Sequence, residues 1–580
     1  MKVNLVNENF RSNYLKQLLA TRGVNDIKTF INPPPECLND PELLDNVRQG
    51  VIWLEEALGK FNSRILIVVD SDVDGYTSGA IMYNYIKAIA PEQQIDYVLH
   101  EHKQHGLEDH YQNIIDSDTH YNLIILPDSS SNDYQYHEQI GRALNTKFLV
   151  LDHHDIDEGQ AISEFACIVN NQLSPNYPNK DLTGAGVAWQ FCREHQKLTG
   201  PIRDYADSLI DLAALGICGD MGSVLNLENR YIMKQGFSHI SNYFFQCAIE
   251  KQSYSMGSVV NPTTVAFYIV PMMNAMIRVG TSAEKERLFH ALIDGHAQVP
   301  CNKRGAKGTT EEVAIESLRE CTNAKAKQGR ITDQMVEKLE QKIYKYDLLE
   351  NKILFIRLDE DDDFPAEING LIAMKLAARF KRPAIVARLN EEGYNRGSIR
   401  NVADCELADL KAFLNESGYF EYVQGHPNAA GCSILDSNLR AFHEYANDAL
   451  SHIDFNEGAY DVNFERAAID NDLEDLIYEL GSYPELWGQG NPEPLIYVHD
   501  LYISPNEIQV MGAKRDTLKI EKNGIAYMKF HATSMIDQLN KCNEIKINLV
   551  GRANINEWMG NETPQIFIEN WEVIDNLLEF

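Results

Sequence analysis

Four groups of acidic and histidine residues in this sequence each stand at the end of a short apolar run. Asp70, Asp72 and Asp74 follow Ile65-Leu66-Ile67-Val68-Val69, Asp128 follows Leu123-Ile124-Ile125-Leu126, and Asp152-His153-His154 follow Phe148-Leu149-Val150-Leu151. Asp220 closes the run Leu212-Ala213-Ala214-Leu215-Gly216-Ile217. Apolar runs of this length, separated by helix-length segments, predict buried strands of a parallel sheet. Ligands of open α/β sheets collect at the carboxyl ends of such strands, so all four groups are expected to converge on one crevice.

The residue types in that crevice suit hard divalent cations. In Asp70-Ser71-Asp72-Val73-Asp74-Gly75, carboxylates at alternate positions of a loop can point the same way, and Gly75 lets the backbone turn tightly into the next helix. Mg²⁺ and Mn²⁺ prefer oxygen donors, and an added imidazole tilts the preference toward Mn²⁺. Two such ions roughly 3.5–4 Å apart would clamp the attacking and leaving oxygens of a phosphoryl transfer and lower the pKa of a bound water. Asp128 could bridge the pair.

Alone, D-x-D-x-D-G also fits a calcium loop or a solvated turn, and a lone Asp128 fits a helix cap. Against an EF-hand, the twelfth position counted from Asp70 is Ile81 rather than a glutamate. In favour of a metal centre, two adjacent histidines after a buried strand are unusual as packing.

A chain of 580 residues is too long for one core, and roughly three or four domains are expected from size. Ten cysteines without a C-x-x-C pair suggest neither a zinc knuckle nor a disulfide framework. The start, MKVNLVNENF, has no apolar signal core and no run reaches membrane-spanning length, which predicts a cytoplasmic protein with no membrane partner.

A net charge of −33 excludes coating of nucleic acid by a generally basic surface but not a local basic groove. Candidates for such a groove are Lys303, Arg304 and Lys307, then Arg379, Lys381 and Arg382, and Lys514, Arg515, Lys519 and Lys522. For each cluster a solvated face is an equally good reading.

The patterning predicts an α/β architecture in five parts. Residues 1–60 read as a helical region around the turn Asn32 to Glu36, and residues 61–325 as a doubly wound parallel-sheet domain carrying every acidic group. Residues 326–352 read as a connecting helix with Val336, Leu339, Ile343, Tyr346 and Leu349 on one stripe. Residues 353–458 read as a second α/β domain, and 459–580, with alternating strands and turns, as a small OB-type β-barrel.

Together these residues resemble the DHH family of phosphoesterases, named for the triplet at Asp152 to His154, and within it the RecJ-type single-strand exonucleases. Leu18 to Val24, Phe30-Ile31-Asn32-Pro33, Gly184-Ala185-Gly186-Val187-Ala188 and Leu212 to Asp220 are similar to segments of that family in the same order. So are Pro271 to Gly280, Gly397-Ser398-Ile399-Arg400, Gly425 to Gly431, Gly488 to Pro494 and Asn556-Glu557-Trp558. The chain departs from the family pattern at Met272, where a basic residue is usual, at Gln424, where a glycine is usual, and in Ala366-Glu367-Ile368-Asn369-Gly370, which lacks the histidine usual before the glycine.

The resemblance implies a DHH catalytic domain, a DHH-associated domain and a C-terminal OB domain. It implies two Mn²⁺ or Mg²⁺ ions with Asp70, Asp72, Asp74, Asp128, His153 and Asp220 as ligands or near neighbours, Asp128 bridging, and His154 touching the substrate or standing just behind the ligands. It also implies phosphate contacts from Arg278, Ser398, Arg400 and His426. The activity implied is hydrolysis of single-stranded DNA from the 5′ end to nucleoside 5′-monophosphates, in company with a single-strand-binding protein or a helicase. Two other readings remain open: a DHH phosphodiesterase or phosphatase for very short substrates, and an inactive replication scaffold.

Overall fold

Runs of Ile, Val and Leu with no polar interruption can be hidden from water on both faces, and in this chain they build a five-stranded parallel sheet. Its strands are β1 (Arg64–Val69), β2 (Gln94–Leu99), β3 (Leu123–Pro127), β4 (Lys147–Asp152) and β5 (Ala166–Asn170), in the order β2-β1-β3-β4-β5. The architecture is that of a computed structural model. It describes the chain except residues 103, 157, 158, 160, 201–203, 258, 304, 307, 360, 361, 363, 403, 404, 540–544, 559 and 577–580, and except the side chains of 505, 558, 575 and 576.

The sheet belongs to the first of two units, formed by residues 26–328 and 485–492. Leu66, Val68, Ile124, Leu126, Phe148 and Val150 fill one face together with Leu107, Ile114 and Ile140. On the other face, helix Val47–Leu58 comes so near that a Cβ on Gly50 would stand 2.8 Å from Leu149 and 2.9 Å from Phe191. Both faces are therefore covered, as a doubly wound sheet requires. The strand order reverses between β1 and β3, and a crevice opens there at the carboxyl ends.

The helices that border this crevice are α1 (Val73–Ile89), α2 (Gly184–Thr199) and α3 (Ile210–Gly219). The last corrects an expectation: Leu212 to Ile217 is helix, not strand. The run is rich in Ala and Gly, has one β-branched residue, and is buried all round, a pattern that suits a core helix equally well.

The second unit comprises residues 1–25, 329–484 and 493–580. One of its sheets is mixed, in the order Phe420–His426, Ala429–Leu435, Tyr394–Arg400, Ala384–Leu389, Leu354–Leu358, with only the last two strands parallel to each other. The other has seven strands and includes the two long strands Ile545–Trp558 and Asn561–Asn576, longer than the short strands expected there. The connecting helix also runs earlier than expected, over Val313–Lys345, so that Tyr346 and Leu349 lie beyond its end.

Residues 1–60 are not wholly helical. Lys2–Leu5 forms a strand that pairs in parallel with Ala459–Val462, and Val3 and Leu5 pack on Tyr460, Val462 and Val550. The alternation Lys-Val-Asn-Leu has the period of two that a half-buried strand needs. The fully buried Arg466 fixes the next stretch: Nη1 donates to Asn9 Oδ1 at 2.6 Å, Nη2 donates to the Phe10 carbonyl, and Nε lies 3.1 Å from Asp472 Oδ2. Helices Ile27–Ile31 and Val47–Leu58 stand where helices were expected.

Among the described residues no helix is long and apolar enough to cross a membrane, and the nine cysteines described are all free.

Removing Arg466 would leave half-buried acceptors without their donor. Arg466→Met should destabilise the second unit by about 3 kcal/mol. This would be read as a lower urea midpoint and faster protease release of residues 1–25. An unchanged midpoint would show that the network contributes nothing to stability.

Candidate metal centre

The crevice is assembled from strand ends and helix starts. After β1, Asp70 is buried and Asp72 caps α1, its Oδ1 accepting the Gly75 N–H at 3.0 Å. A Cβ on Gly75 would lie 2.6 Å from the Asp70 backbone oxygen, so only glycine fits this turn. Asp74, in the first turn of α1, seats its carboxylate on the start of α2. It accepts from Gly184 N at 2.7 Å, Ala185 N at 3.1 Å and the Thr183 hydroxyl at 2.9 Å. A helix N-terminus carries partial positive charge, which suits an anion held there.

Asp128 follows β3 with φ at +68°, in the left-handed region, and its N–H donates to the Leu151 carbonyl at 2.8 Å. That turn aims the carboxylate into the crevice. Asp128 Oδ1 is buried without a hydrogen-bond partner, as is Asp70 Oδ1. The imidazole Nε2 of His153 lies 3.2 Å from Asp128 Oδ1, close but not aligned to donate, and 3.6 Å and 4.0 Å from Asp220 Oδ2 and Asp74 Oδ2.

Asp152 does different work. Its Oδ1 accepts the His153 N–H at 2.7 Å and His154 Nδ1 at 2.7 Å, and its Oδ2 accepts the Ser131 N–H at 3.0 Å. The carboxylate is largely occupied in shaping the loop that presents the two imidazoles.

The electrostatics show an excess of buried negative charge. Burial, then the neighbouring Asp74, Asp72 and Asp70 carboxylates, push the Asp128 carboxyl well above its ordinary value. Burial raises Asp70 to about 6 despite its bond to His105. Burial would lower the His154 imidazole, but the Asp152 carboxylate outweighs it and holds the group at about 9. Asp152 stays well below the usual carboxylate range, because its hydrogen bonds and the two imidazoles overcome its burial. Such a crowd of carboxylates calls for cations.

The donor atoms fit that demand. Asp70, Asp72 and Asp128 each offer an oxygen within 4.8 Å of the others, and so do Asp74, His153 and Asp220 as a second group. Asp128 also falls in a group with Asp152, His153 and His154, which places it beside both sets. The unpartnered oxygens of Asp70 and Asp128 are what a cation site would leave when drawn without its ion.

Three contributors were not expected from sequence. His105 Nδ1 lies 2.6 Å from Asp70 Oδ2. Asn170, at the end of β5, donates to Ser131 Oγ and to the His154 carbonyl, each at 3.0 Å. Thr183 holds Asp74. The available signals were a polar residue closing an apolar strand for Asn170, and a hydroxyl just before Gly184-Ala185-Gly186 for Thr183.

The expected phosphate-binding residues fall in two places. Arg278 is in the last turn of helix Val270–Val279, in the same unit as the cluster. In the second unit, Arg400 and His426 both pair with Ala429, while Ser398 pairs with Gly431 two residues along, so the three share one sheet face. The Arg400 guanidinium lies against Gly370, where a Cβ would stand 2.3 Å from Nη2.

Met272 is buried core, its sulfur accepting from Gln252. Several candidates for a basic groove are tied up internally. Arg379 pairs with Glu340, Arg382 donates to the Leu349 and Asn351 carbonyls, Lys519 pairs with Glu521, and Lys522 with Glu507. Arg304, Lys307 and the Trp558 side chain lie outside the described residues.

Comparison with known proteins agrees with this arrangement. Residues 64–217 match the DHH family, N-terminal domain, and residues 460–570 match the RecJ OB domain. The YorK protein of the SPbeta prophage in Bacillus subtilis strain 168 is 35% identical over 584 residues, covering 99% of this chain and 98% of its own length. The single-stranded-DNA-specific exonuclease RecJ of Escherichia coli K12 is 24% identical, covering 96% of each chain. The crystal structure of Thermus thermophilus RecJ in complex with Mn²⁺ shares the fold with a TM-score of 0.71 at 19% identity, over 99% of this chain and 80% of that one. With a DHH domain that carries the acidic crevice, a RecJ OB domain later in the sequence and relatives matched from end to end, the chain belongs to the RecJ family of DHH phosphoesterases.

Proposed function

We propose that this protein is a metal-dependent exonuclease that degrades single-stranded DNA from the 5′ end and releases nucleoside 5′-monophosphates. The observation that carries the reading is the buried carboxylate and imidazole cluster at the switch point of the sheet, with unpartnered oxygens on Asp70 and Asp128. Its support from relatives is the end-to-end match to RecJ, named as a single-stranded-DNA-specific exonuclease.

In this reading Asp70, Asp72, Asp74, Asp128, His153 and Asp220 hold two Mn²⁺ or Mg²⁺ ions, with Asp128 shared. When bound, such a pair supplies positive charge to the phosphate oxygens and lowers the pKa of a water. Asp152 holds the His154 ring by Nδ1, which leaves Nε2 to donate a hydrogen bond to a phosphate oxygen of the strand. Ser398, Arg400 and His426 offer a hydroxyl, a planar guanidinium and an imidazole to further phosphates, and Arg278 does the same from its own unit. The OB domain would bind the unpaired strand by stacking and backbone contacts.

A cytoplasmic location goes with this reading, with a helicase or single-strand-binding protein delivering the strand. Failure of either to co-purify on single-stranded DNA would remove that partnership.

The decisive experiment is product analysis with Mn²⁺ on 5′- and 3′-labelled single-stranded and duplex DNA. Immediate release of the 5′ label as a mononucleotide from single strands alone, abolished by EDTA, is expected. Absence of metal-dependent cleavage of any strand would overturn the reading in favour of a scaffold.

Asp128→Asn should lower turnover by roughly a thousandfold or more. Because it removes one of several repelling buried charges, it should also raise the melting temperature of the metal-free protein. Full activity in this variant would refute the shared-ligand role.

Gly184→Ala puts a Cβ 2.4 Å from Asp128 Oδ1. It should weaken Mn²⁺ binding by roughly 10–100-fold, measured by calorimetry. Arg400→Ala should weaken binding to single-stranded DNA, and unchanged affinity would remove it from the phosphate site.

A further inference from the structure

Helix α3 ends on the metal-site residue Asp220, and the chain then leaves by a Schellman turn, the Gly222 N–H donating to the Ile217 carbonyl at 2.8 Å. In this motif the residue after the cap adopts the left-handed conformation and is usually glycine or asparagine, because a longer side chain strains the backbone there. Here the position is held by Met221, with φ at +60°.

Packing does not offset that strain, since Met221 is 53% exposed. The neighbouring glycine is not a misplaced substitute for it. A Cβ on Gly222 would lie 2.8 Å from Ile217 Cγ2, so Gly222 is needed for its own close approach.

A strained, solvent-facing methionine next to a metal-site carboxylate points to a contact made only when the substrate is present. Its surroundings specify what it would touch. Asp220 lies 3.6 Å from the His153 ring, and the site residues are all acidic or imidazole. A nucleic-acid strand threading past them meets negative charge wherever no cation stands. An uncharged thioether can add grip without electrostatic opposition by packing on the face of a nucleobase, and every base has such a face.

We propose that Met221 is a nucleobase-binding residue of the active site, packing against the base beside the phosphate to be cleaved and gripping it without regard to sequence. The proposal rests on the nuclease reading above.

The test compares wild type, Met221→Gly and Met221→Leu on single-stranded DNA whose first two 5′ nucleotides carry bases or are abasic. For wild type, removing the bases should raise KM roughly 2–10-fold, the range of a sulfur–aromatic contact. Met221→Gly should show that rise on base-bearing DNA, no further rise on abasic DNA, and a kcat close to wild type. Met221→Leu should retain most of the wild-type KM.

Relief of the left-handed strain should make Met221→Gly melt higher than wild type. A wild-type KM in Met221→Gly, an equal loss on both strands, or a lower melting temperature would overturn the proposal while leaving the nuclease reading intact. Wild-type protein that cleaves neither strand would overturn the nuclease reading and this inference with it.

Discussion

Carboxylates that repel one another are confined here in a space from which water is largely shut out, and the surrounding backbone is organised to make that tolerable. Asp74 rests on the positive start of α2, and Asp152 is saturated by N–H donors. Asp128 and Asp70, by contrast, each keep a buried oxygen unsatisfied. Buried polar atoms are normally paired, and two bare carboxylate oxygens in one crevice suit positive charge supplied from outside the chain. Gly75 and Gly184 serve the same end, the first letting the chain turn tightly against the Asp70 backbone and the second letting it approach the Asp128 carboxylate.

Much of this centre was legible in the sequence because parallel strands buried on both faces advertise themselves as unbroken Ile, Val and Leu runs. Once β1, β3 and β4 were recognised, the acidic groups at their ends followed, and the reversal of strand order brings them together. An Ala- and Gly-rich run of the length of Leu212 to Ile217 fits a strand or a helix equally well, and in the structure it belongs to the helix that Asp220 caps. Its residue nonetheless arrives at the crevice, because the end of a helix can point there as well as the end of a strand.

What stayed hidden depends on contacts between distant loops. Nothing local to His105 says that its ring will meet Asp70, and nothing near Asn170 says that it will hold the loop carrying His154. The pairing of Lys2–Leu5 with Ala459–Val462 was out of reach for the same reason. A four-residue alternation is too short to outweigh a helical neighbourhood, and its partner could be any exposed edge.

That pairing has a bearing on how the protein is made. Asn7 and Asn9 bond to carbonyls 456 residues further along, and Arg466 seals the same junction. A ribosome adding 5–20 residues per second would synthesise the intervening stretch in roughly 20 to 90 s. Throughout that interval the first strand has been made but its docking surface has not. The unit of residues 26–328, whose sheet is closed by contiguous chain, can condense first on the ribosome. The extreme N-terminus must remain unpaired, available to chaperones and proteases alike, until almost the last domain has emerged.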